Sequence, residues 1–268
     1  MLGNYEILKK EGAQYERRLR LFQSWHENVF KWHENFVFTP NKVVNWTEIS
    51  KPMNEWKVGL VSSCGVHLRS QKPFDTDAHE GDWSYREFSS DINPKELMIT
   101  DSHYDHSEAD EDINCMYPIT RLHELVNEGV IGSLSKTFYG FMGWIANPKD
   151  LIADTAPQVA NRLKEEGVDV ILLTPGCAVC HQTLAIIQNT IEGVGIPTIM
   201  TTLKPQLTEQ MRVPRAAYIR FPYGFAAGPA NQPELQKQMI KEILSLIPEI
   251  KEPETIIKMP YRWRGQIG

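Results

Sequence analysis

Apolar residues change their spacing near residue 57. Before it, Tyr15, Phe22, Trp25, Phe30, Trp32 and Phe36 fall at mixed three- and four-residue steps among Glu, Lys, Arg and Asn, which is the stripe of one helix face. This predicts a helical arm over residues 1–40 on which His26 and His33 share a face two turns apart. Pro40 and Pro52 then bracket an extended linker, so arm and linker together occupy 1–56. Beyond it, "KVGLVSS" (57–63) and "ELMITDS" (96–102) are short apolar runs of strand length. "PITRLHELVNEG" (118–129) opens on Pro118 and closes on Gly129, residues favoured just inside a helix start and just past its end. A helix over about 148–166, strand "VDVILLTPG" (168–176), a helix over about 178–192 and strand "IPTIMTT" (196–202) follow. "RAAYIRFP" (215–222) reads as the last strand and "PELQKQMIKEILSLI" (233–247) as the last helix.

Strands joined through helices predict an α/β domain over 57–268, with a parallel sheet, right-handed crossovers and helices on both faces. An internal echo refines this. "VGLVSSCGV" (58–66) and "VILLTPGCAV" (170–179) both run an apolar strand into a Ser/Thr-Gly turn with a cysteine. The echo suggests two pseudo-symmetric halves, 57–147 and 148–268, with Cys64 and Cys177 facing one cleft at the carboxyl ends of strands, where α/β sheets bind ligands.

A chain of 268 residues can bury a sizeable core. With 28 Lys+Arg against 34 Asp+Glu, a net charge of −6 and no basic block, nothing tracks a phosphate backbone, which excludes nucleic acid as a partner. No apolar run approaches the roughly 18 residues of a membrane helix, and "MLGNYE" lacks the apolar core of an export signal. A cytoplasmic protein with no membrane partner is expected, and the aromatic arm favours a homo-oligomer. Four cysteines are too few for a disulfide scaffold.

The chemistry concentrates in "TPGCAVCHQT" (174–183). Cys177 is expected at or next to the N-cap of a helix starting near Ala178, where unpaired N–H groups and the helix dipole stabilise a thiolate. Cys180, one turn into that helix, would attack an adduct on Cys177 and release it as a disulfide. His181 offers a proton donor or a polar flank. A structural zinc site needs four ligands and one CxxC is present, but a catalytic metal could recruit Cys64, His67 and Cys177. The acidic loop "DSHYDHSEADEDIN" (101–114) sets His103 and His106 as candidate acid/base groups or cation ligands. "GVHLRSQKPFD" and "GDWSYRE" contribute His67, Arg69, Asp82 and Arg86, charges suited to holding a small carboxylate substrate. These residues leave three classes open: a redox enzyme, a non-redox isomerase or lyase with Cys64 and Cys177 as opposed acid and base, and a metal-binding protein.

Taken in order, "KPMNEWKVGLVSSCGVHLRSQKPFD", "GDWSYRE", "DSHYDHSEADEDIN", "YPITRLHELVNEGVIGSL" and "GVDVILLTPGCAVCHQT" resemble the glycine/sarcosine/betaine reductase selenoprotein B and D-proline reductase family, over about residues 40–225. The resemblance implies a reductase that cleaves a C–N bond α to a carboxylate together with a pyruvoyl partner subunit. It places the selenocysteine of the U-x-x-C motif at Cys177 and its partner thiol at Cys180, with a thioredoxin-like or other thiol donor resetting the pair. Two departures stand out. Sulfur replaces selenium, a weaker nucleophile and poorer leaving group, and Cys64 stands where the family has glycine or another small residue.

Overall fold

The computed structural model describes residues 5–264; the first four residues of the arm and the last four of the chain lie outside the described residues. A short strand β1 (Glu6–Ile7) leads into α1 (Gly12–Trp32), the core of the expected arm. There follow β2 (Lys57–Ser62), β3 (Val66–Leu68), β4 (Tyr85–Ser89), β5 (Leu97–Ile99), α2 (Ser107–Glu111), α3 (Ile119–Asn127), β6 (Ser133–Leu134) and β7 (Thr137–Phe141). A π-helical turn, Leu151–Thr155, runs into α4 (Ala156–Glu165), and then come β8 (Val170–Thr174), α5 (Cys180–Gly193), β9 (Thr198–Thr202), α6 (Pro205–Met211), β10 (Arg215–Arg220), α7 (Pro233–Ser245) and β11 (Thr255–Arg262).

The main sheet has the order β1-β11-β10-β9-β8-β2-β7-β4, with β6 also paired to the start of β2. It is parallel from β11 to β7, and antiparallel strands close both edges, β1 on β11 and β4 on β7. Alternate residues of each central strand serve opposite faces. Leu172, Ile199, Ala217 and Ile257 pack with α3 and α7, whereas Ile171, Leu173, Met200 and Ala216 pack with α4, α5 and α6. A strand covered on both faces has no charged face to show, so β2 and β8 read as near-continuous apolar runs and β9 as a run of Ile, Met and buried threonines. No helix among the described residues is long and apolar enough to cross a membrane.

Three expectations need correction. "RAAYIRFP" is not the last strand: β11 adds parallel to β10 beyond it. Its Pro260 disguises it, and the structure accommodates that residue where the register shifts between Tyr218 and Arg220, because a bulge tolerates a residue with no N–H to give. "ELMITDS" does form a strand, but β5 pairs antiparallel with β3 in a separate two-stranded ribbon. His33 does not share a helix face with His26; it lies past the end of α1 in extended conformation, buried with its ring 4.3 Å from that of His79.

The linker is extended and strapped across α5. The Asn45 N–H donates to Asn189 Oδ1 (2.8 Å) and the Thr47 N–H to Glu192 Oε2 (2.7 Å). The arm is pinned at its other end by Arg18, whose guanidinium donates to the Glu209 carboxylate of α6 at 2.8 Å.

Candidate active site

The two echoing strands are neighbours. β2 and β8 pair in parallel from Val58 opposite Val170 to Ser62 opposite Thr174, and the Ser63 N–H donates to Thr174 O to carry the contact one residue further. The turns bearing Cys64 and Cys177 therefore leave the sheet side by side at its carboxyl end. A Cβ on Gly176 would lie 2.7 Å from Tyr104 Cε1 and 3.1 Å from Cys64 Cα, so only glycine fits between them.

The Cys177 and Cys180 sulfurs are in bonding contact, with the Cα atoms 5.0 Å apart. α5 begins at Cys180, so Cys177 precedes the helix rather than capping it in the usual position, which corrects the expected boundary near Ala178. Its sulfur nevertheless accepts the N–H of Cys180 (3.2 Å), while Cys180 Sγ accepts the N–H of Cys177 (2.6 Å). Each sulfur thus faces a backbone donor, a setting that stabilises a thiolate when the pair is reduced. Cys180 rests on Gly143, where any Cβ would collide with its sulfur. Ser63 Oγ donates to Cys180 O (3.1 Å) and Thr183 Oγ1 to Gly143 O (2.9 Å), locking the strand ends to the first turn of α5.

Beneath the pair lies Asp101, buried, with a carboxylate oxygen within 4.8 Å of both sulfurs. Oδ1 accepts from the His103 N–H (2.8 Å) and sits 2.9 Å from His103 Nδ1, whereas Oδ2 is buried with no partner. The His103 ring stacks on Trp144, centroids 4.9 Å apart, and its side chain keeps 26% of its surface exposed.

His181 is fully buried and clamps the loop: Nδ1 is 2.7 Å from Cys177 O, and Nε2 accepts the Leu203 N–H at 3.0 Å. This fixes the neutral tautomer with the proton on Nδ1, and burial lowers the pKa to about 4. The sign follows: with the folded pKa depressed below 6.5, stability is complete above pH 6.5 and is lost as pH falls through 4, by about 3 kcal/mol in all. A histidine NMR titration is expected to show His181 still neutral at pH 5; protonation near pH 6.5 would contradict the clamp.

Cys64 is buried beside the pair, its carbonyl accepting the Tyr104 hydroxyl (2.8 Å), and burial pushes its thiol up to about 12. Among the described residues the donor atoms that converge are those of Asp101, Cys177 and Cys180, without Cys64 or His67. His67 has both ring nitrogens engaged, on Leu68 O (2.7 Å) and Thr100 Oγ1 (2.8 Å). Arg69 donates to Lys95 O. Arg86 stacks on Phe74, donates to Lys72 O and Pro73 O and pairs with Asp82 at 3.8 Å, so these charges secure their own loop. His106 turns to Asp110 (3.1 Å) at the start of α2. The fold thus gathers Cys177, Cys180, Cys64, His103 and His181. Sequence reasoning passed over Asp101, Gly143 and Trp144; Asp101 was legible only as the first residue of the acidic loop.

The arm roofs the site. Phe36, Val29 and Trp25 pack on Cys177, Val179 and Cys180, leaving the two cysteines 3% and 0% exposed. Between α1 and the CxxC loop is a cavity of about 270 Å³ bordered by Phe22, Trp25, Ala178, Lys204 and Leu207. The Lys204 ammonium lies 5.0 Å from the Tyr223 ring centroid, and burial lowers its pKa.

A buried thiol pair after β8, beside the end of β2, with a carboxylate and a histidine from the loop after β5, defines a cysteine-based site on an α/β fold. The family model for glycine/sarcosine/betaine reductase selenoprotein B matches residues 21–176, ending one residue before Cys177, and the chain belongs to that family. The D-proline reductase subunit gamma of Acetoanaerobium sticklandii is 36% identical over 222 residues, 83% of this chain and 90% of that one. The glycine reductase complex component B subunit gamma is 29% identical over 57% of this chain in Carboxydothermus hydrogenoformans, and 24% identical over 78% in Symbiobacterium thermophilum. The chain spans 36% and 50% of the length of those two relatives. No solved structure matches it.

Proposed function

We propose that the chain is the thiol-bearing subunit of a reductase acting on a small carboxylated or amine-bearing substrate, working with a partner subunit. The observation that carries this reading is the contact between the Cys177 and Cys180 sulfurs at the carboxyl end of β2 and β8. Cys177 is the attacking sulfur and Cys180 the resolving one. The dithiol gives two electrons and two protons to the substrate and becomes a disulfide, and an external thiol or thioredoxin-like donor returns them. The names of the relatives support reductive chemistry and assembly with other subunits. Lys204, at the cavity bordering Ala178, replaces Arg69 and Arg86 as the cation offered to a substrate carboxylate. The acid–base reading built on Cys64 has less support, since a thiol held up to about 12 is a poor base partner near neutral pH.

Intact mass and peptide mapping of the reduced protein test this reading. Mild oxidation is expected to remove about 2 Da through a Cys177–Cys180 bond, and a fresh dithiol to restore it. Oxidation that leaves the mass unchanged, or joins Cys64 or Cys115 instead, would sink the proposal.

A further inference from the structure

The pair is 3% and 0% exposed, yet each turn of a dithiol–disulfide cycle moves protons on and off its sulfurs. His181 is not the carrier: both its nitrogens are engaged and burial holds it neutral. The titratable side chain that does approach the sulfurs is that of Asp101, which also has a buried oxygen, Oδ2, with no partner.

We infer that Asp101 is the proton acceptor of the resolving thiol and that His103 connects it to solvent. Asp101 is buried and one of its carboxylate oxygens lies within 4.8 Å of both sulfurs. Its Oδ1 is 2.9 Å from His103 Nδ1, and the His103 side chain, stacked on Trp144, keeps 26% of its surface exposed. The groups that face Asp101 are His103 and Tyr104 from its own loop, Cys64 from the end of β2, and Cys177 and Cys180 from the loop into α5. Among the described residues no lysine or arginine pairs with it.

The inference rests on the dithiol–disulfide reading above and specifies one step of it. With Cys177 carrying a group R through sulfur, the Cys180 thiol passes its proton to Asp101, and the Cys180 sulfur attacks Cys177 Sγ. The S–S bond forms and the S–R bond breaks. R leaves with the bonding electron pair and is protonated to RH, the proton on Asp101 passing through His103 to restore the carboxylate. The balance is Cys177–S–R plus HS–Cys180 giving the disulfide plus RH.

Reduced full-length protein treated with hydroxyethyl disulfide reports this step directly, since R is then hydroxyethanethiolate and closure is read by quenched intact mass from pH 5.5 to 10. Asp101→Asn is expected to slow closure of the mixed disulfide about 10- to 100-fold near pH 6, the range of an absent general base. The difference is expected to shrink below about 2-fold well above the ordinary thiol pKa of about 8.5, where the thiol ionises unaided. His103→Gln is expected to slow the low-pH rate about 3-fold and leave the high-pH rate alone. A D101N deficit of the same factor at every pH, or none at any pH, overturns the inference. Should D101N not fold, an H103Q pH profile identical to wild type overturns it as well. Wild-type protein that never closes a Cys177–Cys180 bond instead refutes the underlying redox reading.

Discussion

Gly143→Ala is expected to abolish closure of the Cys177–Cys180 pair while leaving both cysteines in the chain. The added Cβ would collide with Cys180 Sγ and sit 2.6 Å from Ser63 O and 2.9 Å from Cys180 Cβ. The sulfur cannot move aside, because Cys180 opens α5 and its carbonyl is held by Ser63 while Thr183 holds the carbonyl of Gly143 itself. The collision is relieved by pushing the first turn of α5 off the end of β2, at an overpacking cost of about 1–3 kcal/mol. That is small beside the stability of a domain this size, so the variant folds but separates the sulfurs. Oxidation followed by peptide mapping is expected to recover under about a tenth of the wild-type disulfide, since a disulfide demands a narrow Cα and Cβ geometry. A G143A protein that closes the bond at the wild-type rate would show that Cys180 does not depend on this seat.

The contrast between what could be read in the sequence and what could not follows from the range of the interactions. β2, β8, β9 and α3 were visible because burial on both faces, or a Pro and Gly at the two ends, leaves a local mark. The echo of the two strand ends suggested Cys64 and Cys177 facing one cleft between two halves, but sequence could not place them together; the pairing of β2 with β8 sets their turns side by side on one sheet. Asp101 was not legible as a site residue, since what distinguishes it is an oxygen without a partner, and partners come from other parts of the chain. Gly143 was hidden for the same reason: its lack of a side chain matters only against a sulfur 37 positions on. Arg69 and Arg86 read as substrate-binding charges because sequence records the charge and not its occupation; the backbone carbonyls of Lys95, Lys72 and Pro73 take it up.

Glu192→Ala is expected to cost about 3–5 kcal/mol, the loss found when one member of a buried ion pair is removed. Glu192 and Arg215 are 2% and 1% exposed, and the Glu192 carboxylate also accepts the N–H and hydroxyl of Thr198 (both 2.8 Å) and the N–H of Thr47. Burial works against both charges, raising the glutamate pKa and lowering that of the arginine, while their mutual attraction opposes it. Without Glu192, the guanidinium keeps its stack on Trp46 (3.5 Å), its bond to Thr47 O and the attraction of Glu48, and loses its bonded carboxylate partner. Thermal unfolding is expected to shift down by about 10 °C, at about 2–4 °C per kcal/mol for a chain this long. Pairing the change with Arg215→Met is expected to recover most of the loss, because replacing a whole buried ion pair is often close to neutral. The effect should reach the site, since Thr47 belongs to the linker that ties the aromatic roof over Cys177 to α5. A loosened linker lets Phe36 and Trp25 lift, so alkylation of reduced Cys177 is expected to quicken in Glu192→Ala well below its melting temperature. Destabilisation with an unchanged alkylation rate would mean that the roof is held by Arg18 and the cavity-facing stripe of α1, independently of the linker.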